Sequence, residues 1–221
     1  MAQVFHPSTN TISRVSIVGA VLAVLGVSGA IFAANLTYGN RLHVPIEQPV
    51  QFSHKHHVVD DGIDCRYCHT SVDKANFAGL PPTETCMTCH SKIWSDSPLL
   101  EPVRESFRTG KPIQWTRVHD LPDFVYFNHA VHVKKGVGCV SCHGRVDEMP
   151  ITWKQNTMTM GWCIDCHRNP AKNLRPQDRI FSMDWQPPAK SSERAVLAQA
   201  LVAQYHILPV MQLTNCSICH H

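Results

Sequence analysis

The sequence predicts a mostly irregular chain with short helices and little or no β-sheet, preceded by one transmembrane helix near the N-terminus. Three observations favour this fold. All ten cysteines of the 221 residues fall into five Cys-x-x-Cys-His motifs. One uncharged apolar stretch lies near the N-terminus. The remainder has many prolines and few long periodic apolar runs, so we expect it to fold around something other than a large side-chain core.

The five motifs share one chemistry, because Cys-x-x-Cys-His is the attachment pattern of c-type haem. The cysteines predicted to form thioethers are Cys65, Cys68, Cys86, Cys89, Cys139, Cys142, Cys163, Cys166, Cys216 and Cys219. The histidines predicted as proximal iron ligands are His69, His90, His143, His167 and His220. The sequence therefore predicts five covalently bound c-type haems and the fold class of a multihaem cytochrome c, with short α-helices wrapped on the haems.

Paired cysteines could also bind zinc or form disulfides. The spacing between Cys68 and Cys86 lies within the range of a zinc ribbon, and ten cysteines could form a disulfide framework. Neither use requires a histidine directly after every second cysteine, whereas haem attachment does. The repetition of that histidine in all five motifs favours haem.

The uncharged stretch Val15–Ala34 has the length of one membrane-spanning helix. A cleaved secretory signal is the alternative, but its apolar region is usually only about 7–15 residues. We predict an anchor over residues 12–38, a cytoplasmic N-terminus over residues 1–11 and a periplasmic haem domain over residues 39–221. The charges that flank the stretch do not orient it; the orientation follows from the export of cytochromes to the compartment where haem is attached.

An internal duplication organises the haem domain. Phe52-Ser53-His54-Lys55-His56-His57-Val58 and Phe127-Asn128-His129-Ala130-Val131-His132-Val133 share the pattern Phe-x-His-x-x-His-Val. Each copy is followed by two attachment motifs, so the chain holds two two-haem units, at about 52–90 and 127–167. A fifth haem, over 206–220, follows in what is expected to be a partial third copy.

The paired histidines His54, His57, His129 and His132 are the predicted distal iron ligands. Their i, i+3 spacing on one helical turn suits ligation of two neighbouring haems better than one. The fifth distal ligand is open between Met160, His119 and His206, in that order of preference, with His43 only weakly motivated. His56 has no counterpart in the second copy and is expected to be a bystander.

One long helix is predicted in the haem domain, over Ser191–Tyr205, with Ser192 as its cap. Leu197, Leu201 and Tyr205 would share one face, which is expected to pack on a haem or a neighbouring subunit. The stretches 103–122 and 169–190 are expected to be irregular connectors.

Two stretches resemble known cytochromes. Phe52–His57 followed by Cys65–His69 resembles the opening of small c3/c7-type multihaem cytochromes. The stretch from His119 to His132, then Cys139–His143 with Gly144, then Met160–Pro170, resembles the pentahaem cytochrome subunit of bacterial alternative complex III. The resemblance implies a membrane complex that oxidises quinol and passes electrons to periplasmic carriers or a terminal oxidase. Its implied partners are an iron–sulfur subunit, polytopic quinol-binding subunits and a monohaem cytochrome c.

The residues by themselves favour an electron-transfer subunit, not an enzyme, because six-coordinate irons cannot bind a substrate. A stand-alone membrane-anchored quinol dehydrogenase is the first alternative, although Thr70-Ser71-Val72 lacks the methionine expected after the first attachment histidine. A nitrite-reductase-like catalyst is the second, although all five motifs end in histidine. A formal charge of +3 is no evidence for nucleic-acid binding, because ten haem propionates would offset it.

Overall fold

The first element of the structure is one long apolar helix. The computed structural model describes residues 5–37 and 41–220. Helix α1, Ser8–Thr37, has 30 residues and is therefore about 45 Å long, against roughly 30 Å of bilayer hydrocarbon. Its part Ser8–Ala34 has the length and composition of a membrane span. The helix begins before the predicted boundary at residue 12, while residue 38 lies outside the described residues.

The remaining chain, His43–His221, forms a second compact unit that contains all five motifs. Its helices are short: α2 (Cys65–Cys68), α3 (Thr83–His90), α4 (Glu101–Thr109), α5 (His129–Lys134), α6 (Val140–His143), α7 (Met160–Arg168), α8 (Ser191–Gln204) and α9 (Val210–Leu213). A π-helical turn at Lys55–Asp60 and five 3₁₀ turns add to them. Within the described residues no sheet forms, and an isolated antiparallel bridge joins Val137 to Leu174. The predicted fold class is confirmed.

The side-chain core of this unit is small and divided. One cluster joins the buried residues Val72, Val133 and Ile180. A second joins Leu174 to Leu201 and Tyr205. Both clusters take residues from the stretch 169–190, which has little regular structure and nevertheless supplies buried residues to the centre of the unit.

Helix α8 matches the predicted long helix, since it ends one residue before Tyr205. Its cap differs from the prediction, because Lys190 and not Ser192 precedes the first helical turn. The face of Leu197, Leu201 and Tyr205 packs on this chain's own Leu174. Its expected contact with a haem or a neighbouring subunit stays a prediction. The Tyr205 hydroxyl donates a 2.8 Å hydrogen bond to the Arg175 carbonyl, which fixes the helix to the connector.

The expectation of an irregular stretch over 103–122 is wrong at its start, because α4 occupies Glu101–Thr109. Pro102 stands in the first helical turn, and Gly110 ends the helix in the left-handed region with φ of 69°. Val103 and Ser106 are buried on one side. The Ser106 hydroxyl lies 2.7 Å from that of Thr83 at the start of α3. Helix α4 therefore packs on the helix that carries the second motif.

Candidate haem sites

The five attachment motifs are numbered sites 1 to 5 in chain order: Cys65–His69, Cys86–His90, Cys139–His143, Cys163–His167 and Cys216–His220. Each lies on a short helical segment, formed by α2, α3, α6, α7 and a 3₁₀ turn at Cys216–Ile218. Residues i and i+3 of such a turn lie on the same face, so the two thiols of a motif face one side. None of the ten cysteines is paired in a disulfide.

Four of the motif histidines have the tautomer that iron ligation requires. The Nδ1 atoms of His69, His90, His167 and His220 lie 2.7 to 3.0 Å from backbone carbonyls, those of Gly79, Ile93, Leu213 and Phe124 respectively. A carbonyl only accepts, so each Nδ1 carries the proton and donates it. Each Nε2 is then left with a lone pair for a metal, which is the usual arrangement of a ligating histidine.

The paired histidines are held in the same way. Nδ1 of His57 donates to the Ser53 carbonyl, and Nδ1 of His132 donates to the equivalent Asn128 carbonyl, each at 2.8 Å. Nδ1 of His129 donates to the Asn76 carbonyl at 2.9 Å. These three Nε2 atoms are also free to bind iron.

The first histidine of the first pair has a side-chain partner instead of a carbonyl. Nδ1 of His54 lies 3.0 Å from the Thr152 hydroxyl. Burial, followed by the nearby His69 and His57, lowers the pKa of His54 to about 4, so this imidazole is neutral and able to ligate.

Two ring pairs have the separation expected across one iron. Imidazole nitrogens bind metals at about 2 Å, and the ring centroid lies about 1 Å behind, so rings on opposite sides of one ion have centroids about 6 Å apart. The His57 and His90 centroids are 6.1 Å apart, and those of His132 and His167 are 6.2 Å apart. In both units the second histidine of the pair thus faces the second attachment site.

A third group of rings gathers around site 3. The rings of His129 and His143 are nearly parallel at 6.5 Å, and the His119 ring meets His143 edge-on at 4.5 Å. Burial, then His119 and His129, lowers the pKa of His143 to about 3. His54 and His69 also lie near enough to contribute to this shift. Five imidazoles therefore surround the region of sites 1 and 3.

His119 has the one orphaned buried polar side-chain atom found in the described part of the chain. Its Nε2 is buried and has no hydrogen-bond partner. Burial, then the positive charge of Lys154, lowers the pKa of His119 to about 4 and keeps the ring neutral. A neutral ring with a buried nitrogen that has no partner fits a metal ligand, since an unsatisfied buried polar atom otherwise costs about 1–3 kcal/mol.

The other candidates for the fifth distal ligand are exposed. Met160, the first choice from the sequence, is the first residue of α7 and has 67% of its surface exposed. His206 and His43 are exposed and have positive φ angles of 48° and 57°. None of the three shows an orphaned buried atom of the kind found at His119. Ligation by Met160 stays a prediction from sequence.

The bystander His56 has a defined environment. Its ring stacks on Trp94 at 5.7 Å and lies 3.6 Å from the carboxylates of Asp60 and Asp61. Each ring nitrogen of His56 thus lies near a carboxylate, while His57, its neighbour in sequence, faces His90.

Sequence reasoning did not find the groups that orient the imidazoles. Most are backbone carbonyls, which leave no mark on residue type. Thr152 is the exception, because its hydroxyl holds His54 from 98 residues away. Phe52 and Phe127, which are part of the repeated pattern, stack on His57 and His132 at 4.5 Å each. Their recurrence at the start of both copies was the available signal for that role.

In the described residues no group of three or more His, Cys, Asp or Glu side chains is placed to hold a single metal ion, as a zinc site would require. Burial, then neighbouring thiols, raises the pKa of Cys142 to about 12, and burial raises that of Cys139 to about 11. Pairs of thiols that are each followed by an oriented imidazole fit thioether attachment better than zinc.

Paired thiols, oriented imidazoles and a helical fold that forms no sheet in the described residues define a multihaem c-type cytochrome with covalently bound haems. No family model matches the chain. Over 144 residues it is 36% identical to the multihaem cytochrome c subunit of menaquinone reductase from Nitratidesulfovibrio vulgaris. The match covers 56% of this chain and 69% of that protein. The chain belongs to the same family of multihaem cytochrome c subunits.

Proposed function

We propose that the chain binds five haems, one at each of sites 1 to 5, and transfers electrons as a membrane-anchored subunit of a quinol:acceptor oxidoreductase complex of the alternative complex III type. The bound groups supply reversible one-electron chemistry. The residues of the chain attach them, orient the axial imidazoles and exclude water from the central sites. The pair distances His57–His90 and His132–His167 carry this proposal, because two imidazoles that face each other leave no open position for a substrate.

The proposed distal ligands are His54, His57, His129, His132 and His119. The first four follow from the duplication and from their oriented rings. His119 is proposed ahead of Met160 because of its orphaned Nε2. With five distal imidazoles the chain would act in electron transfer and not as a catalyst.

The proposed setting is the cell membrane, with α1 as a single anchor, residues 1–11 in the cytoplasm and the haem domain in the periplasm. The partners would be an iron–sulfur subunit, polytopic quinol-binding subunits and a monohaem cytochrome c. Support comes from the apolar helix, from the resemblance over 119–170 and from the relative, whose name places it in a menaquinone reductase.

The direction of electron flow separates two candidate functions. Alternative complex III would take electrons from quinol, whereas the name of the relative favours a complex that delivers electrons to menaquinone. A stand-alone quinol dehydrogenase is the remaining alternative.

The decisive experiment isolates the chain from its native membrane with whatever co-purifies. Mass spectrometry of the intact chain should show the mass of five haems, and electron paramagnetic resonance should show low-spin iron only. Fast reduction by menadiol, followed by reoxidation by a periplasmic cytochrome, would support quinol oxidation. Reduction of menadione by the dithionite-reduced complex, with no reaction with menadiol, would support the quinone-reducing function. Turnover with menadiol by the chain alone would establish the stand-alone dehydrogenase, and fewer than five haems would overturn the proposal.

A further inference from the structure

Contacts between the segments that carry the motifs show which sites are neighbours in space, and this arrangement differs from the order of the motifs in the sequence. Each neighbouring pair of sites is recognisable by hydrogen bonds or shared packing between the segments that carry them. We propose that the five sites form one unbranched series in the order 2–1–3–4–5, so that sites 2 and 5 are its ends. The inference rests on the proposed function for the existence of five haems and adds the route along them.

Sites 1 and 2 touch directly. Tyr67 lies inside the first motif and Thr88 inside the second, and their hydroxyls are 2.9 Å apart.

Sites 1 and 3 share one packed segment. Ile180 is fully buried in a cluster with Val72, which follows site 1, and Cys139 of site 3 packs on the same cluster. The Cys139 amide donates to the Ile180 carbonyl at 3.2 Å. The Arg66 guanidinium of site 1 lies 4.6 Å from the ring centroid of Phe181, the next residue. The segment 180–181 thus lies between the two sites.

The two units also exchange contacts across this junction. His129 of the second unit donates to the Asn76 carbonyl, in the loop after site 1. His54 of the first unit meets the Thr152 hydroxyl, in the loop after site 3. The exchange is reciprocal, as in a twofold arrangement in which the first sites of the two units are adjacent.

Sites 3 and 4 are joined by Asn156, which precedes α7. Its side-chain amide donates to the carbonyls of Ser141 and Cys142 inside site 3, at 3.3 and 2.8 Å. Sites 4 and 5 are joined by His167, whose Nδ1 donates at 2.7 Å to the carbonyl of Leu213, three residues before Cys216.

Sites 2 and 5, the proposed ends of the series, each contact one further segment of the chain. At site 2, helix α3 packs on α4 through Thr83 and Ser106. At site 5, the backbone of Tyr126 donates to the Cys219 carbonyl at 2.8 Å, and the Phe124 carbonyl accepts from His220. Neither of these covering segments carries an attachment motif. The order therefore reverses the first two sites of the sequence and makes site 1 internal.

Removal of single haems from the complete complex tests the order. In an unbranched series a missing internal haem divides the rest, and a donor at one end then reduces only the haems on its side. The variant Cys65→Ala/Cys68→Ala, which loses site 1, should show either one or three haem equivalents in the fast phase of reduction by menadiol. The variant Cys86→Ala/Cys89→Ala, which loses the end site 2, should show four or none.

The opposite result overturns the proposal. If site 2 is internal, its loss gives one or three equivalents and the loss of site 1 gives four or none. Four equivalents in both variants would show a branched network and would also overturn it. The control is Cys139→Ala/Cys142→Ala, which divides the remaining haems into two and two whether the order is that of the sequence or the proposed one. Fewer than five haems in the complex without substitutions would count against the proposed function and not against the order.

A second measurement needs no variant. Cryo-electron microscopy of the intact complex locates the five irons, and each is assigned by its two thioethers. The iron attached to Cys65 and Cys68 is expected between those attached at sites 2 and 3. An iron of site 2 lying between those of sites 1 and 3 overturns the proposal even if the alanine variants do not accumulate.

Discussion

The two duplicated units differ in their backbone and agree in the placement of their rings. In the first unit His54 caps and His57 lies within a π-helical turn, Lys55–Asp60, that buries no residue. In the second the histidine pair lies on α5, which buries Ala130 and Val133. Yet Phe52 is 4.9 Å from His54 and edge-on, and Phe127 is 4.7 Å from His129 and edge-on.

The difference shows which geometry the function constrains. Helix type, burial and connector length vary between the units, whereas the phenylalanine, the two imidazoles and the facing motif histidine keep their separations. The first unit has α4 after its second site, and the second unit has the segment 170–190 and α8. The connectors differ because they cover different parts of the haem domain. The facing imidazole rings keep the separation that two ligands of one iron would have.

The largest effect that would separate the units is expected from removal of one facing imidazole. His57→Ala should leave site 2 without its distal ligand, and His132→Ala should do the same at site 4. Each variant should convert about one fifth of the iron to the high-spin form, because one ligand of one iron is lost. Electron paramagnetic resonance measures this fraction. An unchanged low-spin spectrum in either variant would break the equivalence of the two units.

A histidine that precedes each histidine pair in the sequence provides a second test. His119→Ala is also expected to make about one fifth of the iron high-spin, since its buried Nε2 has no partner and is the proposed fifth distal ligand. His43→Ala is the matched control, because His43 stands at the corresponding place before the first unit and is exposed. A high-spin signal from Met160→Ala, with none from His119→Ala, would restore the methionine predicted from sequence.

The stacked phenylalanines should matter equally in both units. Phe52→Leu and Phe127→Leu each remove a ring that stacks on an imidazole at 4.5 Å. Each is expected to lower the free energy of unfolding by about 1 kcal/mol, the size of one aromatic pair. Thermal unfolding of the purified variants measures the loss. If the two losses in the free energy of unfolding differ by more than about 1 kcal/mol, one unit relies on the ring more than the other.

The smallest expected effect belongs to the first unit alone. The Ser106 hydroxyl donates to the Lys111 carbonyl at 2.6 Å and accepts from Thr83. Ser106→Ala should destabilise the protein by about 1 kcal/mol without a change in haem spectra. Thr109→Ala is the control, because that exposed hydroxyl makes only local hydrogen bonds, donating to the Glu105 carbonyl and accepting from the Lys111 amide, and does not touch α3. A change in the spectrum of site 2 would show that α4 also adjusts the haem.

Much of the site could be predicted from sequence because it repeats. The pattern Phe-x-His-x-x-His-Val appears twice, and both copies place their rings alike. The pattern could not separate the candidates for the fifth distal ligand, because His119 belongs to no repeated pair. What distinguishes His119 is its buried nitrogen without a partner. That environment forms only in the folded chain, where Lys154 and His143 lie close to the ring.

The connectors show a different limit. Helix α4 had recognisable signals in Pro102 and Gly110, but charged residues dominate its exposed face and masked the short apolar stripe. The segment around Ile180 has no periodicity at all. Ile180 is fully buried because two distant motifs approach it from opposite sides, so its burial is a property of the assembled unit.

The raised thiol pKa values at site 3 have a consequence for the timing of maturation. Burial is the first cause of the pKa of about 11 at Cys139 and about 12 at Cys142, so in the folded chain these thiols are almost never ionised. Thiolates react far faster than thiols. Contacts that join residues 98 positions apart form late, since distant parts of a chain meet slowly. Haem attachment at site 3 should therefore precede the closing of the centre, while the chain is still open.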